Sequence, residues 1–113
     1  MTKTVAQAAA AALLLLFAHD GFAAGDADRG KALYAVCATC HGPQARGMQE
    51  MNAPALAGRE EWYLIRQLQN FKSGIRGGNP KDTYGLQMAP MAQVLADQQA
   101  IEDVAAYLRS LGD

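Results

Sequence analysis

Two cysteines three residues apart, followed at once by a histidine, constrain this chain more than any other feature it has. Cys37-Ala38-Thr39-Cys40-His41 contains both cysteines of the 113-residue sequence and one of its two histidines, the other being His19. A bare Cys-x-x-Cys pair is ambiguous. A redox-active dithiol calls for a βαβ context, and no stretch here alternates polar and apolar residues long enough to make a strand. A structural zinc needs four ligands of the Cys/His type, and beyond residue 23 the chain offers only Cys37, Cys40 and His41. A plain disulfide remains the structural alternative, but the adjacent histidine argues against it: Cys-x-x-Cys-His is the attachment signature of haem c.

Each part of the signature has a physical reason. Cysteines three apart on a helical turn project to the same side, at a separation suited to thioether bonds with two neighbouring vinyl groups. His41, next in sequence, can swing its imidazole beneath the macrocycle and offer Nε2 to the iron. A six-coordinate iron wants a second axial ligand, and methionine opposite histidine raises the potential. Beyond residue 23 no second histidine exists, and the methionines are Met48, Met51, Met88 and Met91. Met48 and Met51 follow His41 closely and are expected on its side of the ring. Met88 and Met91 follow a Gly-rich stretch that can cross to the opposite face, and either could serve.

The amino-terminal stretch is expected to lie outside the folded domain. Ala8 to Ala18 is an unbroken apolar run of 11 residues after Lys3, short of the ~20 needed to span a bilayer. With Gly21, Ala23 and Ala24 behind it, the run fits a secretory leader. Cleavage after Ala23 is expected, giving a signal peptide over 1–23 and one domain over 24–113, with no membrane span in the mature chain; a retained anchor is the alternative. The leader carries off Lys3 and Asp20, so the net charge stays at −1. No basic stripe suggests nucleic acid.

The expected fold class is all-α. Helical spacing predicts a first helix from about Asp26 to Cys40 and a second from about Arg59 to Ser73, carrying Leu64, Ile65, Leu68 and Phe71. A third begins at Asp97, carrying Ile101, Val104, Ala105, Leu108 and Leu111. The segments 41–58 and 74–96 are expected as loops. Three helices of this size cannot bury Tyr34, Trp62, Phe71 and the methionines against one another, and domains this small often lean on a cofactor. A flat apolar group would supply the missing interior.

The chain resembles the class I cytochromes c, of the short bacterial monohaem kind, over residues 26–113. Gly30-x-x-x-Tyr34 ahead of Cys37-x-x-Cys40-His41 is similar to the family's first helix, and Ala106-Tyr107-Leu108 to its last. Asn52 to Gly58 is similar to its Pro-x-Leu-x-Gly segment. The resemblance implies three or more helices and long loops wrapped around one covalent haem, with the first and last helices crossing at the glycine. It implies that the Pro54 carbonyl accepts a hydrogen bond from His41. It also implies Met88 as the sixth ligand, since Leu95 follows it by seven residues and Met91 by only four. The family often has proline directly after the ligand, whereas here Pro90 comes one residue later. Trp62, Tyr63 and Arg76 are candidates for hydrogen bonds to the haem propionates.

The implied function is periplasmic electron transfer: haem iron cycles between ferric and ferrous states, and the protein shuttles single electrons between redox partners, among them a terminal oxidase or a dehydrogenase. It is not expected to be an enzyme. One alternative is a fixed relay subunit in a larger dehydrogenase or oxidase complex. Another is a ligand sensor or peroxidase with an open sixth position.

Overall fold

The first helix starts where an aspartate caps it. Asp26 adopts extended backbone and its carboxylate accepts a hydrogen bond from the Arg29 amide, opening α1 over Ala27–Tyr34 and satisfying one of the amides that a helix start leaves without a partner. This computed structural model describes residue 2 and residues 24–112. The expected leader over 1–23 therefore lies, apart from residue 2, outside the described residues. α1 is followed by α2 (Ala38–His41), a 3₁₀ turn (Gln49–Met51), α3 (Glu61–Ser73), α4 (Thr83–Ala92) and α5 (Gln98–Ser110). Among the described residues there is no strand, only an isolated bridge between Met48 and Ala53.

Two departures from the expected helices matter. The first predicted helix is broken: α1 ends at Tyr34, and a turn at residues 35–37 precedes the short α2 that carries the cysteine–histidine motif. The expected loop over 74–96 contains α4. Gly85 and Pro90 within Thr83–Ala92 hide that helix from a propensity reading, yet Asp82 caps it by accepting from the Gly85 amide at 2.9 Å. Pro90 sits in its last turn.

The core lies where α1 and α3 meet α5. Ile101, Val104, Ala105 and Leu108 on α5 are buried with Tyr34, Leu64 and Leu95, the stripe expected of an amphipathic helix. At the α1–α5 crossing Gly30 is a steric requirement, because a Cβ there would overlap the Asp103 carbonyl. Beside it the rings of Tyr34 and Tyr107 pack with centroids 5.5 Å apart, a contact worth about 1 kcal/mol beyond its area. The buried Tyr34 hydroxyl donates to the Gly42 carbonyl at 2.6 Å, and burial pushes its pKa up to about 12. Tyr34 is thus a neutral donor that ties α1 to the residue following His41.

One charged group is buried at the same crossing. Asp103, only 3% exposed, accepts from Arg29 Nε at 2.9 Å, from the Asp26 amide at 2.8 Å and from Gln99 Nε2 at 3.0 Å. These donors, Arg29 foremost, hold its carboxyl at about 2, below its ordinary 3.8. A carboxylate with a depressed folded-state pKa adds stability that is complete above its ordinary pKa and is lost as pH falls through the folded one. The protein is therefore expected to lose melting temperature between about pH 4 and pH 2 more steeply than an Asp103→Asn variant does. Parallel thermal melts followed by absorbance across that range check this, and coincident pH profiles would refute it.

Candidate functional site

Between α2, the loop after it, α3 and α4 lies a cavity of about 430 Å³, within the ~300–1,000 Å³ usual for small-molecule sites. Cys37, Cys40 and His41 form one wall with Val36. The Cys37 carbonyl accepts from both the Cys40 amide (3.2 Å) and the His41 amide (2.9 Å), and this single tight turn brings both sulfurs and the imidazole to one face. The two thiols are unbridged and half-buried. Burial pushes the Cys37 thiol up from its ordinary value, with Cys40 adding to the effect.

The imidazole is held in one orientation. His41 Nδ1 lies 2.8 Å from the Pro54 carbonyl oxygen. A carbonyl can only accept, so Nδ1 carries the proton and donates, leaving the Nε2 lone pair for the cavity. The segment that presents Pro54 is itself fixed through main-chain atoms. The Ala45 carbonyl accepts from the Leu56 and Ala57 amides at 2.8 and 3.0 Å, the Gly47 amide donates to the His41 carbonyl at 2.8 Å, and the Gly58 amide donates to Leu108 at 2.9 Å. Arg109 adds a hydrogen bond to the Gly58 carbonyl at 2.7 Å.

α4 supplies another part of the wall with Tyr84, Gly85, Gln87, Met88 and Met91. The structure thus brings both candidate methionines to the cavity. Met51 also lines it beside Pro54, while Met48 does not. α3 contributes Leu68 and Phe71, which turn half of its apolar stripe toward the cavity instead of the α5 core. With Leu56 and Val36 they make the lining mainly apolar.

Two arginines interrupt that apolar lining. The Arg76 guanidinium stacks 4.3 Å from the Phe71 ring centroid and donates to Gln67 at 2.9 Å. Arg59 lies 5.9 Å from the Tyr63 centroid and donates to the Ala55 carbonyl at 2.7 Å. Among the described residues the ion pairs involve Arg29 and Arg109, so both cavity arginines are oriented by a ring and one hydrogen bond without a carboxylate partner. Of the residues expected at the propionates, Tyr63 and Arg76 line the cavity. Trp62 does not: it is 61% exposed on the outer side of α3, edge-on to Tyr63. The reading of the sequence missed Arg59, whose place directly before α3 and after the Pro54–Gly58 segment was the available signal.

This donor set fits a covalently held haem. It comprises two thiols and an oriented imidazole on one wall, soft thioether sulfurs on α4, apolar faces at the sides, and guanidiniums suited to acidic substituents. The zinc alternative finds no support in the geometry, since no group of three or more Cys, His, Asp or Glu is placed to hold a metal ion among the described residues.

Known proteins agree with this geometry. The cytochrome c family model matches residues 27–112. Cytochrome c4 of Stutzerimonas stutzeri is 42% identical over 102 residues, covering 87% of this chain and 48% of that protein. Cytochrome c-554(548) of Halomonas halodenitrificans is 38% identical over 88 residues, covering 77% of this chain and 98% of that protein. The crystal structure of reduced recombinant cytochrome c4 from Pseudomonas stutzeri superposes with a TM-score of 0.63 at 41% identity, over 77% of this chain and 46% of that one. This chain therefore spans about half the length of the cytochrome c4 relatives it matches. From the family match across its helices, and from the all-α fold built around the Cys37–His41 turn, the chain belongs to the cytochrome c family.

Proposed function

We propose that this protein carries single electrons between redox proteins on one haem c, attached through Cys37 and Cys40 and ligated by His41 and Met88. The observation that carries the reading is the convergence on one apolar cavity of both cysteines, an imidazole with only Nε2 free, and a methionine-bearing helix. Bound there, the group supplies a one-electron iron couple.

The rest is the work of the chain. The Pro54 carbonyl fixes the His41 tautomer and makes its imidazole a stronger donor. Met88 would supply a thioether ligand that favours the reduced state of the bound group. Leu56, Leu68 and Phe71 keep the surroundings apolar, which disfavours the extra charge of the ferric form. Arg59 and Arg76 offer N–H groups to the two acidic substituents at the edge of the group. Asp82 also lines the cavity, but its carboxylate caps α4. Passing a single electron would require no proton to move within this site.

Residues 1–23 would direct the chain across the inner membrane and be removed there. The partners would be a donor and an acceptor in the periplasm, meeting the cavity mouth in small, transient interfaces. A fixed relay inside a dehydrogenase or oxidase complex is the second reading. It is favoured by the exposed apolar side chains of Val36, Met51 and Tyr84 at the mouth, which a permanent neighbour would cover.

Periplasmically expressed protein, denatured and treated with alkaline pyridine, is expected to give a haemochrome spectrum with two saturated thioether positions and one haem per chain. Amino-terminal sequencing of the same sample is expected to begin at residue 24. A colourless, folded product with Cys37 and Cys40 joined to each other would overturn the proposal.

A further inference from the structure

We infer that Gly77 is a positioning residue for the iron ligand: its bare backbone lets α4 approach closely enough to set the methionine in the cavity. The inference rests on the reading of α4 as the source of the sixth ligand and says what holds that helix in register.

Gly77 lies in the turn between α3 and α4 with φ +72°, a left-handed conformation that costs side-chain-bearing residues. What sets it apart is what it touches. A Cβ on Gly77 would overlap the Gly85 carbonyl and stand 2.9 Å from the Ala89 Cβ. Gly85 and Met88 both line the cavity, one turn apart on the same face of α4, and Ala89 follows Met88 directly. The turn thus abuts the helix face next to the ligand.

The far end of α4 is pinned separately. Gln93 donates to the Lys72 carbonyl at 3.1 Å, and the Lys72 ammonium donates to the Leu95 carbonyl. A wedge at Gly77 cannot be relieved by sliding the whole helix, so the helix must tilt about its pinned end. Restoring an ordinary carbon–carbon contact from the 2.9 Å approach to Ala89 needs a retreat of about 1 Å at that turn. Metal–ligand distances tolerate only ~0.2 Å. The cost of a larger residue at Gly77 therefore falls on the ligand bond.

Gly74 is the natural control. Its φ is nearly the same, +80°, but a Cβ there would meet nothing within 4 Å. An alanine at either site carries the left-handed strain, and only the one at Gly77 also wedges α4. Ala89→Val wedges the same contact from the helix side without touching a glycine.

The test uses ferric, haem-loaded protein with two readouts: the near-infrared methionine–iron charge-transfer band and the affinity for added imidazole. In G77A and A89V the band is expected to weaken and imidazole to bind about tenfold tighter, because the open form is more populated. In G74A both readouts should match wild type, although G74A and G77A both melt lower. Equal behaviour of G74A and G77A, or wild-type readouts in both G77A and A89V, would overturn the inference. If G77A does not load haem, A89V decides alone. A band that survives Met88→Ala refutes the Met88 assignment itself, an outcome separate from the contrast between Gly77 and Gly74.

Discussion

Gly30→Val is expected to lower the melting temperature of the haem-loaded protein by roughly 12 °C or more. A Cβ at residue 30 already overlaps the Asp103 carbonyl and lies 2.9 Å from the Tyr107 Cβ, and valine adds two further methyl groups. α1 has eight residues, too few to be stable away from its partner. Its separation from α5 would break the Tyr34–Tyr107 contact and the Arg29–Asp103 pair together. Overpacking of this kind costs about 3 kcal/mol where the neighbours are backbone and cannot move. In a domain of this size each kcal/mol is worth ~4–8 °C. Ala32→Val, on the exposed side of the same helix, serves as control and should melt within about 4 °C of wild type. A Gly30→Val protein that melts with the control would show that the α1–α5 crossing is not the keystone described here.

The second large effect is chemical. Met88→Ala is expected to abolish the ferric charge-transfer band, lower the reduction potential and open the iron to imidazole. The pyridine haemochrome spectrum should stay unchanged, because Cys37 and Cys40 are untouched. Met91→Ala is expected to leave the band in place. Both methionines line the cavity, so the paired variants are needed to separate them. The assignment to Met88 fails if the band persists in Met88→Ala and disappears in Met91→Ala.

What could be read from the sequence divides along physical lines. The α3 and α5 stripes were legible because their apolar spacing is regular and their flanks carry clear signals: Asp97 caps α5, and Gly74 ends α3. The cysteine–histidine turn was legible because its chemistry needs those residues at that spacing. α4 was not, since Gly85 and Pro90 are poor helix residues. Its stability comes from the Asp82 cap, from Gly77 beneath it and from its ties to α3, and all but the cap is tertiary. The expected helix over 26–40 was drawn too long because nothing local announced the turn at residues 35–37. The Arg29–Asp103 pair joins residues 74 apart in sequence, beyond the reach of any periodicity. Trp62, a candidate for the propionates on the family resemblance, instead faces outward from the first turn of α3.

The hydrogen bonds that aim His41 run almost wholly between peptide groups: Ala45 to Leu56 and Ala57, Gly47 to His41, Pro54 to the ring, Gly58 to Leu108. Most substitutions along residues 43–58 therefore have little purchase on the ring's plane, the exceptions being Gly47 and Gly58, where a Cβ would overlap neighbouring backbone, and the buried Ala45. Adding or dropping a single residue would shift the proline carbonyl out of reach and retune the iron. For an engineer the main dial is segment length.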